Sequence, residues 1–446
     1  MSVPQELDFK QSSQVKPNYG LLRINQQSGG NSVTLSKTAS VQSVFELPAQ
    51  VMNFSKSFLQ FQISMTGLNG KFCNIIDSGT LSPIRSLVLT TQSGLRLVDI
   101  PDVGKYSKCV QLSDTKLSEF LTMDKSTGFS ASDADGGASG NYTVSVDAGD
   151  DPAPANARTF NTKGYTEPLG FHTGVVDAGG GEGAIAIMYR IPLSMIKNTL
   201  LQRNKDIYFD EIVNLQIDWR PTDLSTVTSD AVTVAAQIAA ATVPTLTELY
   251  FYVAQQKNES IAKAIRDKVR SSGMSVLVDY LYAYNSSQTG TNHSLSFRWS
   301  RAHGRRLKRV YCVPYIASNV TVSNYYNHAR DQDGDAVLTV YSQIDNERIQ
   351  QFNMDSAAQD EHLVMGDKLK GSVIQTRTQF DLNYFYADSW DGLKFHERQD
   401  GVECGLDLSS ERKYDLVATA EGARNWHVFA VVQRMLKITS DGISLD

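Results

Sequence analysis

The segment Leu59-Gln-Phe-Gln-Ile-Ser-Met65 alternates apolar and polar side chains without a break. A period of two is typical of a β-strand that buries one face and exposes the other. The same period recurs in Val213-Asn-Leu-Gln-Ile-Asp-Trp219, and Arg220-Pro221 ends that run. These two segments predict that the first half of the chain is built from β-strands.

Further apolar or alternating runs lie on both sides of these segments and are separated by turn-rich stretches. Strands are predicted at 84–89, 94–100, 184–191, 246–253, 275–284, 295–299, 307–316, 336–344, 375–387 and 426–438. Helix signals are few. Asn258 can cap a helix that Gly273 ends, and weaker helical patterns cover 102–121 and 355–369. Many short strands with few helices favour a sandwich, barrel or jelly roll over βαβ units.

Composition divides the 446 residues into several parts. Residues 1–38 are rich in Gln, Ser and Asn and are expected to form an extended N-terminal arm, ordered only against neighbouring subunits or a membrane. Two sandwiches are expected at 39–222 and 245–446, joined by a linker at 223–244 that contains no aromatic residue. Within the first sandwich, the Gly- and Asp-rich residues 124–183 are expected to form a projecting loop, because connections of this length are usually exposed or functional.

The two halves also repeat in layout, although no residue-by-residue repeat is visible. Each half has a strand pair followed by a helical pattern. Each also closes on a strand that contains Trp, in DEIVNLQIDWRP at 210–221 and in NWHVFAVVQRMLKITSDGISLD at 425–446. This layout suggests a duplicated unit.

Charge, cysteine content and hydropathy exclude several classes of protein. The net charge of −6 and the pI near 5.7 disfavour a protein that wraps nucleic acid. The N-terminus lacks a secretory pattern, and the longest apolar stretch, around 232–243, is too short to span a bilayer. The four cysteines, Cys73, Cys109, Cys312 and Cys404, have no CxxC spacing. This indicates free, reduced thiols in a protein that is made in the cytosol.

No sequence motif for catalysis, cofactor binding or a metal centre is found. The histidines form no HExxH pattern, there is no GxSxG elbow, and neither Gly-Lys pair has the upstream glycine of a P-loop. We therefore expect no enzyme activity and no catalytic, cofactor-binding or metal-ligating residue. The acidic segment Asp331-Gln-Asp-Gly-Asp335 fails the EF-hand pattern because Ala336 and Ser342 occupy the glycine and carboxylate positions, so a hairpin turn is favoured. A calcium site improvised from loop carboxylates, including Asp150 and Asp151, is the weaker alternative.

Two clusters have both a functional and a structural interpretation. The basic run Arg301-Ala-His-Gly-Arg-Arg-Leu-Lys-Arg309 could contact phosphates or lipid head groups, but charge at a strand edge or an interface is favoured. The aromatic clusters Tyr250–Tyr252 and Tyr280–Tyr284 could form a sugar-binding platform. At strand spacing, packing in the core or between domains is favoured.

The chain resembles the double jelly-roll major capsid proteins of the adenovirus, tectivirus and polinton-like virus lineage. The resemblance is carried by LTELYFYVAQQKNESIAKAIRDKV at 246–269, by GRRLKRVYCVPYI at 304–316 with VYSQIDNERI at 340–349, and by the two Trp-containing segments. It implies an all-β fold of two antiparallel eight-stranded jelly rolls in tandem, with a few flanking helices and no catalytic residue.

The resemblance also implies a function and partners. The expected function is that of a viral structural protein, made in the host cytoplasm, that forms homotrimeric pseudo-hexagonal capsomers in the icosahedral capsid of a virion. Expected partners are neighbouring capsomers, penton and minor capsid proteins, and an internal membrane reached by the arm, without specific nucleic-acid binding. Two alternatives stay open: a surface or secreted β-sandwich adhesin or lectin, which the missing signal and disulfides oppose, and a polysaccharide hydrolase with a carboxylate pair in a groove.

Overall fold

A computed structural model gives the arrangement of most of the chain. It describes residues 17–36, 38–65, 73–75, 81, 84–106, 129–130, 142–144, 158–160, 167–168, 185–221, 226–228, 245–316, 337–359, 384–390 and 405–446.

The described part of the N-terminal half forms two main antiparallel sheets and three two-stranded pairs. Its strands are β1 (Tyr19–Ile24), β2 (Val33–Thr34), β3 (Val41–Leu47), β4 (Val51–Met65), β5 (Cys73–Ile75), β6 (Ile84–Thr91), β7 (Arg96–Ile100), β8 (Phe129–Ser130), β9 (Tyr142–Val144), β10 (Arg158–Phe160), β11 (Glu167–Pro168), β12 (Ile185–Pro192), β13 (Ile207–Tyr208), β14 (Val213–Trp219), β15 (Thr226–Thr228) and β16 (Thr245–Gln256). One sheet has the order β1-β16-β4-β12, with β2 and β13 beside it, and the other has the order β3-β14-β6-β7. Two 3-10 turns, Leu193–Met195 and Leu200–Gln202, follow β12.

Aromatic side chains join the two sheets of this half. Phe45 on β3 packs against Phe251 on β16 with ring centroids 6.0 Å apart, and Phe61 on β4 meets Trp219 on β14 at 5.4 Å. All four rings are buried, and the indole Nε1 of Trp219 donates a hydrogen bond to the Ser43 Oγ at 2.8 Å. Alternate residues of β14 are buried, as its sequence pattern predicts. The half is therefore a sandwich with one core.

The C-terminal half has the same construction and is preceded by one helix. Its elements are α1 (Glu259–Ser271), β17 (Met274–Gln288), β18 (Asn292–Trp299), β19 (Arg306–Ile316), β20 (Val337–Ile344), β21 (Glu347–Arg348), β22 (Tyr386–Ser389), β23 (Leu406–Asp407), β24 (Arg412–Ala420), β25 (Arg424–Thr439) and β26 (Gly442–Leu445). One sheet has the order β17-β25-β19-β22, with β23 and β26 beside it, and the other has the order β18-β24-β20-β21.

The two halves share one topology. If the eight main strands of each half are counted in chain order, both halves have one sheet in the order first-eighth-third-sixth and one in the order second-seventh-fourth-fifth. This is the arrangement of an antiparallel jelly roll, so the prediction of two tandem eight-stranded jelly rolls is confirmed. The proposed match between the two Trp-containing strands is wrong, because β14 is the seventh strand of its jelly roll and β25 is the eighth of the other.

Both ends of the first jelly roll differ from the predicted boundaries. The expected arm at 1–38 contains β1 and β2, which pair with β16, and its Val33 and Leu35 side chains are buried. Strand β16, which was assigned to the second domain, lies between β1 and β4. In this topology the eighth strand lies in the middle of its sheet, and in the first jelly roll that strand is β16. The first jelly roll therefore runs to Gln256, the last residue of β16.

Several expectations fall wholly or partly outside the described residues. Of the loop at 124–183, only β8 to β11 are described, as the two-stranded pairs β8–β11 and β9–β10. In the linker, β15 pairs with β5. The helical patterns at 102–121 and 355–369 are described only as single turns at 103–106 and 356–359. Segments that lie outside the description altogether are 1–16, 150–151 and 331–335.

Candidate functional site at the junction between the jelly rolls

The two jelly rolls meet along a junction to which both halves contribute an edge strand. Strands β7 and β17 are each terminal in their own sheets, and their Cα atoms come within 8 Å of each other. The 3-10 turn Leu200–Gln202 contacts both strands. Since unpaired strand edges are prone to aggregation, bringing β7 and β17 together protects an edge of each half.

Helix α1 flanks this junction. The Asn258 side chain accepts hydrogen bonds from the backbone N–H groups of Ser260 and Ile261, and Gly273, at φ +74°, follows the last turn. The helix contacts β4, β13 and β16 of the first jelly roll and β25 of the second, through an apolar stripe of buried residues, Ile261, Ala262, Ile265 and Val269. The sequence predicted this helix and its cap correctly.

A buried ionic cluster crosses the junction. The Arg220 guanidinium lies 2.7 Å from the Asp102 carboxylate, and the Lys105 ammonium lies 3.8 Å from the same carboxylate. Lys105 also reaches the second jelly roll, where its Nζ is 3.0 Å from the His427 Nε2 and 4.3 Å from the centre of the Tyr315 ring. Only 2% of Arg220 and 6% of Lys105 is exposed, so these charges interact in a poorly solvated environment.

Burial and neighbouring charge shift the protonation equilibria of the cluster. Burial, reinforced by Arg220, lowers the pKa of Lys105 to about 8 despite the attraction of Asp102. Burial and the Lys105 ammonium lower the pKa of His427 to about 3. Burial acts to raise the pKa of Asp102, but Arg220 and Lys105 outweigh it and hold that pKa below its usual value. A neutral His427 therefore accepts a hydrogen bond from a Lys105 cation at neutral pH.

A second ionic cluster joins the jelly rolls through Asp279 of β17. Its carboxylate lies 2.9 Å from the Lys308 ammonium and 3.9 Å from the Arg203 guanidinium, which belongs to the first jelly roll. Burial acts to raise the pKa of Asp279, but these two cations lower it. Lys308 lies where the register between β19 and β25 shifts, as expected for a β-bulge that redirects a side chain.

Packed aromatic and polar groups complete the junction. The rings of Tyr106 and Phe429, one from each half, lie 5.3 Å apart. The Tyr106 hydroxyl donates to the Lys197 carbonyl at 3.0 Å and accepts from the Asn198 side-chain amide at 3.0 Å. Buried, hydrogen-bonded ion pairs and packed rings restrict the orientation of one jelly roll relative to the other.

The basic run and the aromatic clusters identified in the sequence pack inside the protein. In the basic run, Lys308 and Arg309 are buried on β19, which lies between β25 and β22 in its sheet. The expectation that these charges lie at a strand edge is therefore wrong. Lys308 does lie at the interface between the jelly rolls, where it pairs with Asp279. Tyr252 stacks on Phe58 at 4.7 Å, and Tyr280 packs against Tyr282 at 5.0 Å, which agrees with the packing interpretation of both aromatic clusters.

The described part of the chain contains a buried thiol and scattered groups of metal-ligand type. Burial raises the pKa of the free Cys312 thiol well above its usual value. Within the described ranges, no group of three or more His, Cys, Asp or Glu side chains is arranged to hold a metal ion. No helix in that same part of the chain is both long and apolar enough to cross a bilayer.

Apart from Lys308, which lies in the basic run, sequence reasoning missed the residues of the ionic clusters. One signal was present: Asp279 and His427 stand within otherwise apolar runs, VLVDYLY and WHVFAVV. A charged or titratable residue in such a run must find a partner when it is buried. The identity of that partner depends on how the two halves dock.

The fold was compared with known proteins. No protein-family model matches the sequence, and no curated protein is similar to it. Solved structures match along almost the whole chain. A PBCV-1 virus capsid chain has 11% identity and a TM-score of 0.55, covering 98% of this chain and 98% of that chain. The mavirus major capsid protein has 10% identity and a TM-score of 0.56, covering 100% and 95%. The Faustovirus major capsid protein has 8% identity and a TM-score of 0.56, covering 97% and 92%. The chain has the double jelly-roll fold of these viral major capsid proteins.

Proposed function

We propose that this chain is a viral major capsid protein, a structural subunit that assembles into the icosahedral shell of a virion. The observation that carries the proposal is the pair of jelly rolls with identical strand order, locked side by side by buried ion pairs. The match to viral major capsid proteins over the full length of the chain supports it.

The repeated topology suggests how such a subunit assembles. Two equivalent jelly rolls in each chain make a ring of three chains approximate a hexagon of six units. Head-to-tail contacts relate each chain to the next by a fixed rotation. If three such rotations complete a circle, the result is a finite homotrimer; if the rotation does not complete a circle, the chains form filaments. Hexagonal trimers can tile the flat facets of a shell. Further partners in this proposal are penton and minor capsid proteins and an internal membrane, with synthesis in the host cytoplasm.

The alternative functions receive less support. An adhesin or lectin needs exposed aromatic rings, whereas in the two aromatic clusters Tyr250 and Tyr280 are buried and Tyr252, Tyr282 and Tyr284 are half-buried. A polysaccharide hydrolase needs two carboxylates facing a groove, whereas the two most buried junction carboxylates, Asp102 and Asp279, are bound by cations. A structural role without catalytic residues is therefore proposed.

The proposal is tested by the size and shape of the purified full-length chain. We expect sedimentation to give a mass of three times 49.2 kDa that persists on dilution, and electron microscopy to show hexagonal particles. A stable monomer at micromolar concentration, with no larger species on concentration, contradicts the proposal. Binding of that monomer to a glycan array would establish the adhesin alternative.

A further inference from the structure

Large apolar side chains are exposed at two places on the molecule. Within the described ranges they are Leu21 (57% exposed), Leu338 (45%), Ile349 (40%) and Phe352 (58%). Leu21 lies on β1 of the first jelly roll, whereas the other three lie on or next to the β20–β21 hairpin of the second. Exposed apolar clusters on a soluble protein commonly mark interaction surfaces.

The internal repeat indicates what these two places have in common. The junction within the chain brings β7, the fifth strand of the first jelly roll, against β17, the first strand of the second. Two further strands hold the same positions with the jelly rolls exchanged. They are β21, the fifth strand of the second jelly roll, and β1, the first strand of the first jelly roll. Both end their sheets, and the exposed apolar residues lie on or beside them.

We propose that the β20–β21 edge, with Leu338, Ile349 and Phe352, docks against the β1 edge, with Leu21, of a second copy of this chain. The contact between chains then repeats the contact between jelly rolls within a chain. It is head-to-tail, as a closed ring requires, because each chain presents one of the two edges to each neighbour. This inference rests on the proposed function and names the surface through which the subunits meet.

Charged residues flank the apolar side chains on both edges. Arg23, next to Leu21 on the exposed side of β1, carries a cation, and β21 exposes both Glu347 and Arg348, so the Glu347 carboxylate is available to pair with Arg23. Opposite charges at the rim of an apolar contact steer association and set its register. The equivalent strands within the chain also have a charged rim, since Arg96 and Asp99 on β7 act electrostatically on Tyr280 of β17.

The test uses two full-length variants that each spoil one edge, Leu21→Asp and Phe352→Asp. Both side chains are more than half exposed, so both variants are expected to fold with an unchanged circular dichroism spectrum. Each variant alone should sediment as a monomer, with association weakened at least about thirty-fold, as for loss of a central contact residue. Ser294→Asp is the matched control, because it adds a carboxylate to β18, the opposite edge of the sheet that contains β21. This control should stay trimeric.

Mixing the two variants distinguishes this contact from other modes of assembly. The Leu21→Asp chain keeps an intact β20–β21 edge and the Phe352→Asp chain keeps an intact β1 edge, so a mixture should form a heterodimer of twice 49.2 kDa that cannot close into a ring. Variants that remain trimeric, or monomeric variants that form no heterodimer, overturn this inference alone. A wild-type chain that is itself monomeric overturns the proposed function as well. If one variant fails to fold, Ile349→Asp or Arg23→Glu replaces it on the same edge.

Discussion

At the scale of single residues, the buried ion pairs of the junction differ from surface pairs in what their loss costs. Removing Arg220 leaves the Asp102 carboxylate with the Lys105 ammonium at 3.8 Å and the Lys105 backbone N–H at 3.3 Å, and breaking a buried ion pair by removing one partner costs about 3–5 kcal/mol. We expect Arg220→Ala to lower the free energy of unfolding by that amount. Arg298 pairs with Glu411 on the exposed surface, so Arg298→Ala should cost less than about 1 kcal/mol.

Denaturant titration of both variants measures this difference. Equal losses for the two substitutions would show that the junction cluster contributes no more than a surface pair. A larger loss for Arg220→Ala supports the view that the cluster holds the two jelly rolls in one orientation.

The buried histidine of the junction predicts an acid-sensitive stability. The pKa of His427 is about 3 in the folded protein and about 6.5 in an unfolded chain, so the unfolded chain binds more protons between these values. The contribution of His427 to stability is therefore fully present above pH 6.5 and is lost as the pH falls towards 3. The loss attributable to this residue is about 2 kcal/mol at pH 5.

Replacing that histidine should flatten the pH profile. We expect His427→Gln to lose less stability than the wild type between pH 6.5 and pH 5, measured by denaturant titration at each pH. Part of the slope should remain, because burial also lowers the pKa of His293. His303→Gln, which leaves the cluster of Asp102, Lys105 and Arg220 intact, is the control. An unchanged profile for His427→Gln would contradict the assignment.

At the scale of secondary-structure elements, α1 is the part of the junction most easily tested. Its Asn258 cap satisfies two backbone N–H groups at the start of a helix that contacts both jelly rolls. We expect Asn258→Ala to lower the thermal stability by about 1 kcal/mol and Asn258→Asp to preserve it, because Asp also accepts these hydrogen bonds. Equal destabilisation by both substitutions would assign the effect to some other contact of Asn258.

Sequence patterns predicted where strands and helices lie better than they predicted which elements contact each other. The alternation of 213–219 matched β14 at both ends, and the capping residue of α1 was identified, because both signals are local. Strand β1 was missed because its partner, β16, lies far along the chain: Tyr19 pairs with Gln256. The ionic clusters were missed for the same reason, since Lys105 and His427 meet only when two separate domains dock.

At the scale of the whole molecule, the position of β1 and β2 predicts the effect of truncation. Deleting residues 1–16 should leave the unfolding transition unchanged, because every contact of β1 and β2 described above is retained. Deleting residues 1–36 removes both strands and the buried Val33 and Leu35, which should cost at least about 3 kcal/mol. Thermal unfolding of the two truncated chains measures the contrast. Equal stability would show that these strands are dispensable for the first jelly roll.

The central place of each eighth strand also affects biosynthesis. In the first sheet, β16 separates β1 from β4, and in the second, β25 separates β17 from β19. Each of these central strands is the last of its jelly roll to leave the ribosome. Until Gln256 emerges, the nascent chain carries long strands with open edges, a state that favours aggregation. The second jelly roll then passes through the same exposed state, so open strand edges favour aggregation at two separate stages of translation.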